Sequence, residues 1–125
     1  MTKRVLRTFG GQFMIPLLFL AAITGCRSYH VEIKVANRTG AAIQLLEVDY
    51  PSASFGADTL PSEGAMTYRI QVRGTGPVKV QYKSAEGAQQ QITGPSLAER
   101  DEGRLEIVLL PGGKAEFTPQ LARPK

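Results

Sequence analysis

Few side chains in this sequence could take part in covalent catalysis or bind a metal. Two of the residue types that could, cysteine and histidine, occur once each. The 125 residues contain one cysteine, Cys26, and one histidine, His30, beside 11 aspartates and glutamates. A lone cysteine excludes a disulfide within the chain. Its thiol could serve as a nucleophile or a metal ligand only with partners from elsewhere in the fold. A histidine-based triad or metal site would require the same of His30.

Cys26 stands at the end of an apolar segment near the start of the chain. The first seven residues include three basic ones, Lys3, Arg4 and Arg7. An apolar run of 11 residues follows at 13–23, and Thr24 and Gly25 separate it from Cys26. A transmembrane helix needs about 20 apolar residues, so this run is too short to span a bilayer. A basic start, a short apolar run and small residues at its end are typical of a secretory signal peptide.

The residues Ile23-Thr24-Gly25-Cys26 resemble the lipobox of bacterial prolipoproteins. In that family a diacylglyceryl group alkylates the cysteine thiol, a dedicated peptidase cleaves before the cysteine, and the new amino group is often acylated. The resemblance therefore implies cleavage between Gly25 and Cys26, with Cys26 as the lipidated first residue. One acyl chain holds a protein only marginally at a membrane, whereas two anchor it stably. The lipid would anchor the protein without a membrane-spanning segment.

Lipidation would consume the only thiol, so the resemblance leaves no cysteine nucleophile and no zinc or copper site that uses cysteine. The alternative is a buried structural Cys26 behind an ordinary signal peptide. We interpret His30, four residues after the anchor, as a tether or strand-edge residue. We therefore expect no catalytic residues, no metal and no cofactor. A hydrolase that uses two surface carboxylates is a weaker alternative, because aspartate and glutamate are plentiful.

Removal of 1–25 would leave 100 residues, the size of one small domain. We expect a lipidated tether at 26–29, a β-domain over 30–119 and a flexible tail at 120–125. Cleavage would also remove three of the 15 lysines and arginines, which lowers the net charge from +4 to +1. A chain so close to neutral gives no support for a nucleic-acid partner.

Alternation of apolar and polar residues predicts most of the β-strands. It is clearest at 31–35, 68–72, 78–82 and 105–109, with weaker strands at 89–93 and up to Phe117. This pattern is typical of antiparallel sheets with one solvated face. The segment 43–50 changes phase, which predicts a β-bulge at Leu45 and Leu46. About seven short strands and no long helix predict an antiparallel β-sandwich that resembles immunoglobulin and fibronectin type III domains.

Three local patterns add detail to this prediction. Asn37-Arg38-Thr39 matches a glycosylation acceptor, but in a bacterial context we interpret it as turn chemistry. The segment 96–99 fits a capping box for a helix of one or two turns. The tyrosines at the inward positions of their strands are expected in the core with their hydroxyls at the rim. These are Tyr50, Tyr68 and Tyr82.

The longest predicted connection, 51–64, holds the residues with the best claim to binding. Loops of this length are uncommon in small domains and are often functional. Phe55 could contact a protein partner from a loop tip, and Asp58 is a polar candidate beside it. A lone Asp58 without a second spaced aspartate does not indicate a calcium site. The favoured alternative is that Phe55 and Leu60 fold back and close one end of the sandwich, as a short extra strand.

These features lead to two main hypotheses and a weaker third. The first is a monomeric, lipid-anchored envelope protein that acts non-enzymatically in protein–protein interaction or envelope assembly. The second is a lipoprotein that binds a small ligand or glycan through 51–64. The third is the carboxylate hydrolase. In the prolipoprotein family an aspartate after the cysteine favours retention at the inner membrane. Arg27 at this position implies outer-membrane placement facing the periplasm, if the cell has two membranes.

The lipobox hypothesis predicts the behaviour of a Cys26→Ser variant. Without the thiol no diacylglyceryl group can attach, so the variant should incorporate no labelled palmitate and should keep its signal peptide. Metabolic labelling and the electrophoretic mobility of the chain measure both properties in cells. Normal processing of the variant would contradict the hypothesis.

Overall fold

The computed structural model describes residues 29–123, and these residues form eight β-strands without a helix. The strands are β1 Val31–Asn37, β2 Ile43–Tyr50, β3 Ala53–Leu60, β4 Ala65–Ile70, β5 Gly76–Lys83, β6 Gln89–Leu97, β7 Glu102–Leu110 and β8 Lys114–Ala122. Within this range no helix exists that could cross a membrane. The predicted signal peptide 1–25 and the predicted lipidation site Cys26 lie outside the described residues.

The strands form two four-stranded sheets that pack as a sandwich. The first sheet has the order β4-β1-β7-β8, and the second has the order β3-β2-β5-β6. Five of the strand pairs are antiparallel, and β1 and β7 pair in parallel. The predicted all-β sandwich is confirmed, with eight strands instead of about seven. The additional strand is β3, which lies in the segment predicted as a long loop.

The core lies between the two sheets and is built from alternate residues of the central strands. In β1, for example, Val31, Ile33 and Val35 are fully buried while Glu32 and Lys34 are exposed. The matching buried residues of β5 and β7 are Val78, Val80, Tyr82, Leu105, Ile107 and Leu109. Burial of one large aliphatic side chain contributes about 1.5–3 kcal/mol. The alternation in the sequence therefore identified the inward face of these strands correctly.

The predicted β-bulge is present in β2. The register of β2 with β5 shifts between Gln44 and Glu47, so Leu45 and Leu46 together oppose Tyr82. Leu45 has a φ of 52°, a left-handed backbone that is unusual for leucine. The bulge directs Leu46 into the core and leaves 60% of Leu45 exposed. The change of phase in the sequence is thus the signature of this bulge.

The side chain of Asn37, at the end of β1, is fully buried and joins the two sheets. Its Nδ2 donates to the carbonyl oxygens of Ala41, Leu60 and Pro61 at 2.9–3.1 Å. Its Oδ1 accepts from the backbone N–H and the hydroxyl of Thr39 at 3.0 and 2.7 Å. The interpretation of this motif as turn chemistry is therefore confirmed. A buried amide with all these partners is not available to a glycosylating enzyme.

The segment 96–99 forms no helix, so the capping-box prediction is wrong. Strand β6 runs through Leu97, and the turn after it is closed by Asp101. The buried Asp101 carboxylate accepts from the Ala98 N–H at 2.9 Å and from Nε of Arg123 at 2.6 Å. The pairing of β6 with β5 and the hydrogen bond from the Ala98 N–H to Asp101 outweigh the weak helix preference of 96–99.

The chain end is also more ordered than predicted. Residues 120–122, assigned to a flexible tail, belong to β8. The hydrogen bond and charge of Asp101 raise the pKa of Arg123, which follows the strand directly. The contact between Arg123 and Asp101 fixes the end of β8 against the turn after β6.

Replacement of Asn37 tests its role between the sheets. Asn37→Ala removes the side-chain donor of the buried Leu60 carbonyl oxygen, whereas the Ala41 and Pro61 carbonyl oxygens keep Thr39 Oγ1 and the Gly64 N–H as donors. We therefore expect a loss of about 1–3 kcal/mol. Urea denaturation of the full chain in detergent micelles measures this change. Gln44→Ala, at an exposed position of β2, is the control and should stay within about 0.5 kcal/mol of wild type. Equal stability of Asn37→Ala and wild type would contradict this role.

Candidate functional site

The structure places the two predicted contact residues on an edge strand instead of a loop. Phe55 and Asp58 lie in β3, which forms the edge of the second sheet. Phe55 is only 8% exposed and belongs to the hydrophobic core, as does Leu60. The favoured alternative, in which these two side chains close the sandwich through an extra strand, is confirmed. The expectation of an exposed Phe55 ring at a loop tip is wrong, whereas Asp58 is exposed.

The three inward-facing tyrosines differ in burial. Tyr82 is fully buried, as predicted, and Tyr50 is partly buried. Burial, followed by the nearby Tyr68, raises the pKa of Tyr50. Tyr68 lies opposite Ile33 but is 49% exposed, so its predicted place in the core is wrong. Its strand, β4, is a sheet edge, and the ring stacks on Phe55 with a centroid distance of 4.7 Å.

The edge formed by β3 carries few protective features, with Asp58 as its one charged residue. Proteins commonly protect exposed edge strands with proline, lysine or other charged residues, because unpaired backbone groups invite another strand. β4 carries Arg69, β6 contains Pro95, and β8 contains Lys114 and Pro119. β3 has the sequence ASFGADTL, without proline or a basic residue. Among the described strands, β3 pairs with β2 alone.

An open depression of about 610 Å³ lies beside this edge. We call its principal residues the β3 edge surface; they are Leu45, Glu47, Gly56, Ala57 and Asp58. Leu45 supplies an exposed apolar group at the bulge. Gly56 lies opposite Glu47, and a Cβ atom on Gly56 would come within 2.0 Å of the Leu46 carbonyl oxygen. The close approach of the backbone at the bulge therefore requires glycine, which leaves the Glu47 side chain uncovered.

Charge is distributed unevenly around this surface. No lysine, arginine or histidine occurs between Arg38 and Arg69, whereas the same segment contains four acidic residues, Glu47, Asp49, Asp58 and Glu63. Glu63 pairs with Arg38 at 3.4 Å, and Asp49 accepts from Gln81 Nε2 at 3.2 Å. Glu47 and Asp58 have no basic residue on β2 or β3 to balance them. The gap in basic residues is visible in the sequence and is the signal that could have identified this acidic edge.

Glu47 and Asp49 are the pair of carboxylates that a hydrolase would need, since alternate residues of β2 project to the same face. A hydrogen bond with Asp49 and the charge of Asp49 raise the pKa of Glu47. Glu47 is exposed on the outer face of the sheet, however, and the pair does not lie in a cleft. This arrangement resembles solvated surface carboxylates more than a general acid and base.

His30 lies directly before β1, an inner strand of the first sheet, between β4 and β7. Its Nδ1 is 3.3 Å from the guanidinium of Arg69, and its carbonyl oxygen accepts from the Gly103 N–H at 3.1 Å. An open depression of about 360 Å³ adjoins it and includes Glu32, Glu102 and Arg104. The described residues contain no group of three histidine, cysteine, aspartate or glutamate side chains that could hold a metal ion. These contacts hold His30 at the start of an inner strand, with one partner on β4 and one on β7.

Comparison with known proteins supports the fold and adds no activity. No family model matches the chain, and no curated protein matches it. The chain is similar to a protein from Eubacterium rectale whose structure was determined by NMR. That similarity has a TM-score of 0.52 at 13% sequence identity and covers 77% of this chain and 91% of the other. At this identity the similarity shows a shared fold alone.

The carboxylate pair makes a testable prediction about pH. Because the pKa of Glu47 is raised in the folded chain, the folded state binds its proton more tightly than the unfolded state does. Glu47 therefore favours folding at acidic pH, and this contribution is lost as pH rises through its folded pKa. Asp49→Asn should lower the Glu47 pKa in a carbon-detected NMR titration. Asp58→Asn is the control and should leave it unchanged, and an unaltered Glu47 pKa in Asp49→Asn would contradict the assigned cause.

Proposed function

We propose that this protein is a lipid-anchored, non-enzymatic interaction module of the bacterial cell envelope. The anchor rests on the sequence resemblance at Ile23-Thr24-Gly25-Cys26, with cleavage after Gly25 and lipid on Cys26. The module is the sandwich of residues 29–123. The protein would reach its membrane through the lipid, remain monomeric and bind a protein partner. Arg27 supports placement at an outer membrane, facing the periplasm.

The observation that carries the interaction role is the weakly protected edge of β3, whose one charged residue is Asp58. Its eight residues contain no proline and no basic residue, and an exposed leucine stands beside them. A strand of this kind offers backbone N–H and carbonyl groups for β-augmentation, in which a partner adds a strand to the sheet. An edge without protection risks aggregation, so its retention over eight residues favours a role in binding.

A glycan or small-ligand role is the second candidate, and one observation favours it. Tyr68 is 49% exposed, and a sugar ring could stack on the side of its ring that faces away from Phe55. Against this role, Phe55 itself is in the core and the adjacent depression is open and shallow-sided instead of enclosed. Binding sites for small molecules usually surround most of their ligand. The edge therefore supports a protein partner better than it supports a small ligand.

Photo-crosslinking in cells tests the interaction role. A photoreactive amino acid at Asp58, on the edge of β3, should give a specific crosslinked product with one envelope protein. The matched control position is Gln91, an exposed residue on β6 at the other edge of the same sheet. We expect little product from Gln91. Failure to obtain a specific product from any of the four edge strands would contradict an interaction module.

A further inference from the structure

We infer that the free edge of β3 binds an extended, basic segment of a partner protein as an additional strand. This inference rests on the proposed interaction role and specifies the chemistry of the partner. It concerns the β3 edge surface, where backbone groups, one apolar side chain and two carboxylates lie together.

The backbone of β3 supplies the first requirement, which is an unpaired strand of sufficient length. β3 spans eight residues and pairs on one side with seven residues of β2. Its outward positions are small or polar, with Ser54, Gly56 and Asp58 exposed. These short side chains leave the outer face near the edge open. An incoming strand could therefore form main-chain hydrogen bonds without displacing a bulky group.

Leu45 supplies the second requirement, which is an apolar contact near the centre of the surface. Gln44 pairs with Thr59 and Leu46 pairs with Ala57, so Leu45 lies opposite Asp58. Its side chain is 60% exposed although the backbone is held in a left-handed conformation. The bulge that directs Leu46 into the core thus leaves one apolar side chain on the surface. The methylene chain of a basic residue on the added strand would cover this leucine.

The acidic side chains of the β3 edge surface favour a basic partner strand. Glu47 and Asp58 flank Leu45, and no basic residue occurs on β2 or β3. Because Gly56 has no side chain, a long basic side chain from the next strand could reach Glu47 across it. A lysine or arginine that reaches this point would place its charge beside Glu47 and Asp49, which lie on the same face of β2. A second copy of this chain is a poor occupant, since pairing of two β3 strands would bring like charges together.

A defined peptide tests this inference with the full chain in zwitterionic detergent micelles. The probe is an eight-residue peptide that alternates valine and lysine, and its counterpart replaces lysine with glutamate. We expect the lysine peptide to bind and to slow amide hydrogen exchange in 53–60, and the glutamate peptide not to bind. A second lysine peptide carries methyl groups on the backbone nitrogens that would face β3. It has no N–H groups to donate to the β3 carbonyl oxygens, so its affinity should fall at least tenfold.

Two charge-reversal variants separate local recognition from overall charge. Asp58→Lys should weaken binding of the lysine peptide by about tenfold and improve binding of the glutamate peptide. Glu116→Lys makes the same change at an exposed position of β8 and should stay within about twofold of wild type. The inference is overturned if both variants lose affinity equally, if protection appears on β6 or β8, or if the methylated peptide binds as well as its parent.

The remaining outcomes are equally decisive. Absence of peptide binding, or self-association that protects 53–60 without peptide, would overturn the basic-strand inference. The proposed interaction role would survive either result if a crosslink in cells still identified an envelope partner from another edge. If no edge position gives a crosslink, the interaction role itself fails.

Discussion

The arrangement of this sandwich depends on one buried amide. Asn37 ends a core strand of the first sheet, and its side chain hydrogen-bonds to the turn before β2 and to the end of β3. Its backbone also exchanges hydrogen bonds with Glu63 and Gly64 in the connection that leads to β4. A buried polar group with every partner in place specifies one geometry, because any shift leaves it unsatisfied. Asn37 therefore fixes the β2–β3 hairpin against the first sheet.

The exposed features of the edge follow from how that hairpin is built. Its core face needs both Ile43 and Leu46, and the bulge at Leu45 makes this possible. The same bulge turns Leu45 toward solvent and brings the backbone so close to Gly56 that no side chain fits. The exposed Leu45 side chain and the open space over Gly56 beside Glu47 are thus consequences of core packing. The acidic character is separate, since the bulge does not require Glu47 or Asp58.

The sequence patterns predicted the strands whose apolar and polar residues alternate strictly. They did not predict the features that depend on which strands pair with each other. The centre of the sandwich and the bulge could be predicted because Val31, Ile33 and Val35 alternate with polar residues and Leu46 breaks the phase. β3 was predicted only as a short extra strand in the alternative to a long loop, because Gly56 and small side chains resemble a loop, and its pairing depends on Asn37 and on the bulge. Tyr68 has the predicted orientation, but only the strand order reveals that its edge position leaves half the ring exposed. Prediction of the acidic edge would have required both the absence of basic residues between Arg38 and Arg69 and the position of β3 in the sheet.

Addition of a partner strand requires that β3 be paired with β2 on one side and open on the other. Residue-resolved amide hydrogen exchange of the unbound full chain measures this directly. The predicted result is alternate protection along 53–60, with slow exchange where the N–H group faces β2 and fast exchange where it faces outward. Core amides of β2 and β5 should exchange slowly throughout. Uniformly fast exchange across 53–60 would show a loop, and uniformly slow exchange would show a covered edge; either result would contradict the account.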